Sequence, residues 1–554
     1  MRAAADLVVT GAQLLTPAPS TDTALAVAGG RIVALGTDEE VLALAGPGTE
    51  RIESEGAALL PGFHDAHVHA QAGGLALGGC DLEPEHSIDG YARLVREFAA
   101  RSDDEWIVGS GWFGDAFPGG LPTRAHLDAI VADRPAVLTS HDAHGVWVNS
   151  AALERAGITR ASTDPANGRI VRDADGEPTG VLFDAAGELV TRLVPAPGPA
   201  ERRTALLAAQ RHLFSLGVTA WHDAILGAYL SLPDCLPTYL ETLADGSLTA
   251  RVTGSMWWPP QAGPEHVPAM LEHLRATSEA GFPVRSVKIM QDGICENCTA
   301  ALLEPYTGVH PTTRGDSVIA PDDLVEIVTA LDAAGIGVHF HGVGDRAVRE
   351  CLDAVEAARR RGGPAPTGPE RPRHQIAHLD VVDPADVPRF AALDVTANIQ
   401  PLWARDDQEI LERKFPLIGD ERAAWHFPFG ALQRAGARLA MGSDWPVTSP
   451  DPLWALHTAC TRTAPAADVH ARNPESHRPA QPEQRLDLST AVRAATLGAA
   501  EASGNETTIG SLEPGKLADL VLLDGPLTGP ADLDRVRVRR TVLGGRTVHV
   551  SDAP

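Results

Sequence analysis

Eight apolar, strand-like runs recur along the middle of this chain, most of them followed by a helical pattern. They are FHDAHVH (63–69), GVTAWHD (217–223), TARVTGSMW (249–257), VRSVKIMQDG (284–293), GIGVHFHGVGD (335–345), RHQIAHLD (373–380), DVTANIQP (394–401) and ARLAMGSDWPV (437–447). PDDLVEIVTALDAAG and AVRECLDAVEAARRRG show helical apolar spacing between them. Near-continuous apolar strands need cover on both faces, the condition of a parallel sheet wrapped by helices. Eight such units predict an α/β chain built on a (β/α)8, TIM-type barrel. Such a barrel takes roughly 250 residues, and the chain has 554, so further units are attached.

Those units are readable at both ends and after the first strand. Residues 1–60 and 505–554 alternate short apolar runs with turns, as in ALAVAGGRIVALG and VRRTVLGGRTVHV. They predict one discontinuous small β-domain, with the barrel domain, 61–504, between its halves. Residues 75–205 predict an insertion with its own helices, SIDGYARLVREFAARS and RAHLDAIVA.

Composition narrows the partners. Hydrophobic residues make up 44% of the chain and charged residues 21%, a globular balance. No run reaches the ~18 uninterrupted apolar residues of a membrane span. The opening MRAAADLVVTGAQLL does not read as an export signal, so a cytoplasmic location is expected. A formal net charge of −27 disfavours nucleic acid and anionic membrane. A small-molecule substrate is the expected partner, and a homodimer is left open. The six cysteines are scattered, which fits a reducing compartment. The pair in CENC, Cys295 and Cys298, lacks the second pair that a zinc ribbon needs.

The strand ends carry unusual groups. In PGFHDAHVHA, strand parity puts His67 and His69 on one face and His64 on the other. The fourth run carries Lys288 and Asp292, the fifth His339 and His341, the sixth His378 and the eighth Asp444. Barrel chemistry sits at the C-terminal ends of strands, and imidazoles with a carboxylate are ligands for Zn²⁺ and similar ions. His339 and His341 share parity but stand roughly 6.6 Å apart along a strand, so only His341 is expected in the mouth. Lys288, as a free ammonium, has no lone pair. It either carries CO₂ as a bridging carbamate, neutralises an acid, or holds substrate. His222 and Asp223 end the second run and also point at the mouth region.

PGFHDAHVH, GWFGDAFPGGLPTRAHLDAI, HDAHGVWVNSAAL, PTGVLFDAA, VKIMQDG, HGVGDRAV, IAHLD, GSDWPV and GSLEPGKLADLVLLD together resemble the amidohydrolase superfamily. Within it the chain is similar to the amidohydrolase 3 group, which includes N-substituted formamide deformylases. The resemblance covers nearly the whole chain. It implies a metal-dependent hydrolase of barrel plus small β-sandwich. The implied ligands are His67, His69, Lys288 as carboxylated lysine, His341 and His378, with Asp444 as general base and further ligand. One or two divalent ions are implied, Zn²⁺ by default for a nitrogen-rich site. The family commonly has IEH where this chain has IAH, which leaves Ala377 in place of an acid. The resemblance also sets Trp112, Phe113, His144, Trp147 and Asn149 near the substrate, and Trp403 and Asp292 join them as candidate substrate contacts.

The reaction expected is hydrolysis of the C–N bond of an amide, N-substituted formamide or cyclic amide. Asp444 takes the water's proton and returns it to the leaving nitrogen, and His378 or His222 steadies the oxyanion. Deamination, or ester or carbamate hydrolysis, uses the same attack. A binding protein with a vestigial metal site is the rival from outside the enzymes.

Overall fold

The computed structural model describes residues 4–15, 21–141, 145–165, 168–229, 233–308, 313–362 and 371–551. The chain divides into two compact units. One comprises Met1–His69, Gln210–Leu226 and Tyr239–Pro554, the other Ala70–Ala209 and Gly227–Thr238.

The first unit holds the expected barrel. Its strands are β1 (Phe63–Val68), β2 (Val218–Leu226), β3 (Arg251–Trp257), β4 (Val284–Met290), β5 (Gly337–Gly342), β6 (Gln375–His378), β7 (Thr396–Ile399) and β8 (Arg438–Met441). They pair in chain order, all parallel. Every residue of β1, β2, β5, β6 and β7 is buried, the physical reason these runs show little alternation. The helix Pro321–Ala333 starts with proline and two aspartates, which suit the donor-rich end of a helix. The helix Asp345–Gly362 buries Val348, Cys351, Leu352 and Val355 on one stripe and ends in Arg359, Arg360 and Arg361.

Beyond the ends of β1 and β8 the backbone completes the circle. The Asp444 amide donates to the His67 carbonyl at 2.8 Å, and the His69 amide to the Trp445 carbonyl at 2.9 Å. Gly442 permits this approach, because a Cβ there would lie 2.5 Å from the Cβ of His67 and 2.7 Å from its backbone nitrogen.

Two small sheets form the expected sandwich. One contains Ala5–Thr10, Ala24–Ala28, Arg31–Gly36 and Ala45–Glu53. The other joins Gln13–Leu14 and Ala58–Pro61 to Leu520–Leu523, Val538–Leu543 and Arg546–Val550 from the far end of the chain. Leu7, Val9 and Val27 from the first share a core with Leu59, Leu520, Leu522 and Val542 from the second. Gly29–Gly30 and Gly544–Gly545 turn two of its hairpins with positive φ throughout, the geometry a two-residue hairpin favours.

The second unit has a six-stranded sheet, in order Gly168–Arg172, Pro178–Asp184, Gly145–Val148, Ala136–Ser140, Ile107–Trp112 and Cys80–Asp81. It also takes Gly227–Thr238, the segment after β2, which the sequence reading assigned to the barrel domain. No helix among the described residues is long and apolar enough to cross a membrane. None of the six cysteines forms a disulfide; Cys295 is buried and Cys298 half-buried.

Candidate metal centre

Strand β1 and the turn after β8 meet at one carboxylate. Asp444 Oδ1 lies 3.3 Å from His67 Nε2 and 3.2 Å from His69 Nε2. Asp444 sits in the left-handed region, φ 59°, a conformation a non-glycine residue holds only where its surroundings fix it. Asp65, between the histidines and unassigned from sequence, supplies part of that fixing. It accepts the amides of His67 and Ser443 on Oδ1 and the Ser443 hydroxyl on Oδ2 at 2.5 Å.

Strands β4 and β5 add the next groups. Lys288, 1% exposed, is level with His339, and Met290 with His341. His341 is therefore nearer the mouth and His339 a layer below. His339 Nε2 and His67 Nδ1 are 2.9 Å apart, one carrying the proton, which leaves His67 Nε2 for Asp444 or an ion. His341 Nδ1 faces Asp292 Oδ1 at 3.3 Å. Asp292 also accepts from the amides of Ala301, Val343 and Gly344. Its oxygens are thus engaged in holding His341 and the turn after β5.

His378 ends β6 with φ 80°. Its ring centroid lies 4.4 Å from that of His341 and 5.0 Å from that of His67, and it stacks on Trp403 at 5.2 Å with 5° between planes. Trp403 therefore adjoins the cluster. His378 Nδ1 is buried without a hydrogen-bond partner. Among the described residues, His67, His378 and Asp444 form the group whose ligand atoms all lie within 4.8 Å of one another. Two imidazoles, one of them with an orphaned ring nitrogen, and a carboxylate fit a divalent ion, and His69 and His341 border them.

His222 is not brought to this cluster. Its Nδ1 meets the Thr253 hydroxyl at 2.9 Å and its Nε2 the Ser255 hydroxyl at 2.7 Å. Both nitrogens are thus engaged inside the barrel. Trp112, Trp147 and Asn149 lie in the second unit, where Trp112 and Trp147 are buried in one apolar cluster. The Trp112 indole donates to the Leu138 carbonyl and that of Trp147 to the Thr123 carbonyl. Asn149 caps the helix Ser150–Arg155 and donates to the Val131 and Arg134 carbonyls. His144 lies outside the described residues.

Burial dominates the electrostatics. It pulls the Lys288 ammonium down to about 7, partly opposed by the Asp444 carboxylate. Burial and the Lys288 charge hold His67 and His339 well below the usual imidazole range, and burial with His341 does the same to His378. For Asp444 burial acts upward, but the His69 hydrogen bond and the nearby cations outweigh it and keep the carboxyl below its ordinary value. His67 and His378 are thus held towards the neutral imidazole and Asp444 towards the carboxylate, the forms that a metal binds.

The profile of the Amidohydrolase family matches residues 50–549. Protein LONG AFTER FAR-RED 3 of Arabidopsis thaliana is 33% identical over 530 residues, covering 94% of this chain and 87% of that protein. An N-substituted formamide deformylase of Arthrobacter pascens is 25% identical over 556 residues, covering 94% of each chain. The crystal structure of an uncharacterized metal-dependent hydrolase from Pyrococcus furiosus aligns with a TM-score of 0.69 and 25% identity, covering 94% of this chain and 98% of its own.

Proposed function

The chain belongs to the amidohydrolase family, and from that premise we propose that it is a metal-dependent hydrolase of the C–N bond in an amide, N-substituted formamide or cyclic amide. The observation that carries this reading is the meeting of His67, His378 and Asp444 within 4.8 Å. His67, His69, His341, His378 and Asp444 are the residues that would hold a divalent ion, Zn²⁺ by the nitrogen-rich donor set. Such an ion supplies Lewis-acid polarisation of a carbonyl and makes water acidic near neutral pH.

The chain's own groups do the rest. Asp444, ionised and held between two imidazoles, accepts the proton of the attacking water and returns it to the leaving nitrogen. His67 and His69 fix the carboxylate that does this. The flat stack of Trp403 on His378 gives the mouth an apolar wall beside the reacting carbon. Lys288, near 7, offers a neutral amine that adds CO₂, so a carbamate is part of the proposal.

The test is metal analysis of purified protein, with product analysis on a panel of formamides, amides, cyclic amides, esters, carbamates and amines. Formate or carboxylate with an amine supports the reading, whereas ammonia alone reassigns the chain to deamination. Asp444→Asn is expected to lower turnover by about 10²- to 10⁴-fold while remaining folded. Unchanged turnover in that variant, or a parent inert with every divalent ion supplied, overturns the proposal.

A further inference from the structure

His378 faces the cluster against the parity of its own strand. Ala377 pairs with His341, which is on the inner face, so regular alternation would turn His378 outward. Its left-handed backbone, φ 80°, reverses that direction. Such a residue needs its peptide held from outside, and a line of buried amides does so. The His378 amide donates to Gln400 Oε1 at 2.8 Å. Gln400 Nε2 donates to Asn398 Oδ1 at 2.9 Å. Asn398 Nδ2 donates to the Ala66 carbonyl at 3.0 Å and to Gln375 Oε1 at 2.9 Å. Gln375, Asn398 and Gln400 are all buried.

The two ends of this line are backbone groups that cannot exchange roles. A peptide N–H only donates and a carbonyl only accepts. The orientation of both side-chain amides follows: Gln400 must turn its oxygen to His378 and its nitrogen to Asn398, which must turn its nitrogen to Ala66. Each position needs a donor and an acceptor on one short side chain, a requirement that Asn and Gln meet and a carboxylate or an apolar chain does not. The line ends on the peptide that joins Ala66 to His67. It therefore ties together, across the barrel interior, the backbones bearing two members of the cluster.

We propose that Asn398 and Gln400 are positioning residues that set the separation of His67 and His378, and through it the affinity of the site for a divalent cation. This rests on the metal reading above. Neither residue is assigned a contact with substrate, so their loss acts on metal affinity and on kcat and leaves KM nearly unchanged.

The experiment titrates metal-free parent, Gln400→Met, Gln400→Glu and Asn398→Asp with Zn²⁺, and records the visible absorption of each with Co²⁺. Gln400→Met removes both contacts and is expected to weaken Zn²⁺ binding by about 10- to 100-fold, the scale of lost support to a ligand, and to alter the cobalt spectrum. Gln400→Glu keeps the acceptor for His378 and is expected to fall between parent and Gln400→Met. Asn398→Asp, which cannot donate to Ala66, is expected to weaken binding too, and gives the reading should Gln400→Met not fold. A merely structural role would lower thermal stability while leaving affinity and spectrum of the folded protein at parental values, and that result overturns the inference. A parent that takes up neither ion overturns the metal reading itself, and this inference with it.

Discussion

Asp292 is a buried carboxylate with three backbone amides and one imidazole around it. Replacing one of its oxygens with an NH₂ sets a donor against a donor, and an unmet buried pair costs about 1–3 kcal/mol. Asp292→Asn is therefore expected to lower the melting temperature of the metal-free protein. It is also expected to weaken metal binding about tenfold by releasing His341; thermal unfolding and a Zn²⁺ titration read the two effects separately, and parental affinity would show that Asp292 does not orient His341. The type of this residue was plain in the sequence, and its partners were not, because the amides it holds come from segments 9 to 52 positions away. The strand-end histidines were legible for the opposite reason: polar groups at the ends of apolar runs stand out wherever the chain folds. For Trp112 and Trp147 nothing local in the sequence says that the indole N–H will meet a carbonyl inside its own unit. Asn149 did leave a signal, an Asn directly before the helical SAALER, which is the pattern of an N-cap. Asn398 and Gln400 left a fainter one, two amides spaced two apart at the end of an otherwise apolar strand.

The barrel strands show how elements, rather than residues, became readable. Their runs were apolar because both faces are covered, and each ended in turn residues that the sequence could not separate from the strand. GIGVHFHGVGD thus shortens to Gly337–Gly342. The assignment of Gly227–Thr238 to the second unit was not legible, since so short a segment carries no periodicity to show which body it packs on. Ring closure was equally hidden, because it depends on the space at Gly442. There a methyl group would meet the backbone and Cβ of His67, which cannot rotate away as a side-chain tip could. Overpacking of this kind costs about 1–3 kcal/mol. Gly442→Ala is expected to lower the urea midpoint and, by displacing His67, to weaken Zn²⁺ binding. A variant with the parental midpoint and affinity would mean that β1 and β8 can part here without consequence.

For the molecule as a whole, the buried histidines make acid the expected weakness. Burial lowers His64 and His222 to about 3 in the folded protein. An unfolded histidine takes a proton near 6.5. Between those values the unfolded chain binds more protons than the folded one, so stability rises with pH across the window and is lost as pH falls through it. Asp65 and Asp451, both raised by burial to about 6, act the other way. They hold a proton when folded that they release when unfolded, so they favour the fold as pH drops from about 6 towards the ordinary Asp value near 3.9. Below that value their contribution is constant. His64 isolates the effect, because its ring lies outside the cluster against Ser503, with Nδ1 unpartnered. Each such group contributes a slope of about 1.4 kcal/mol per pH unit in its window. His64→Gln is therefore expected to be less sensitive to acid than the parent between pH 6.5 and 3, as read from urea midpoints of the metal-free proteins at half-unit steps. Parallel curves for the two would mean that His64 is not held neutral in the folded chain.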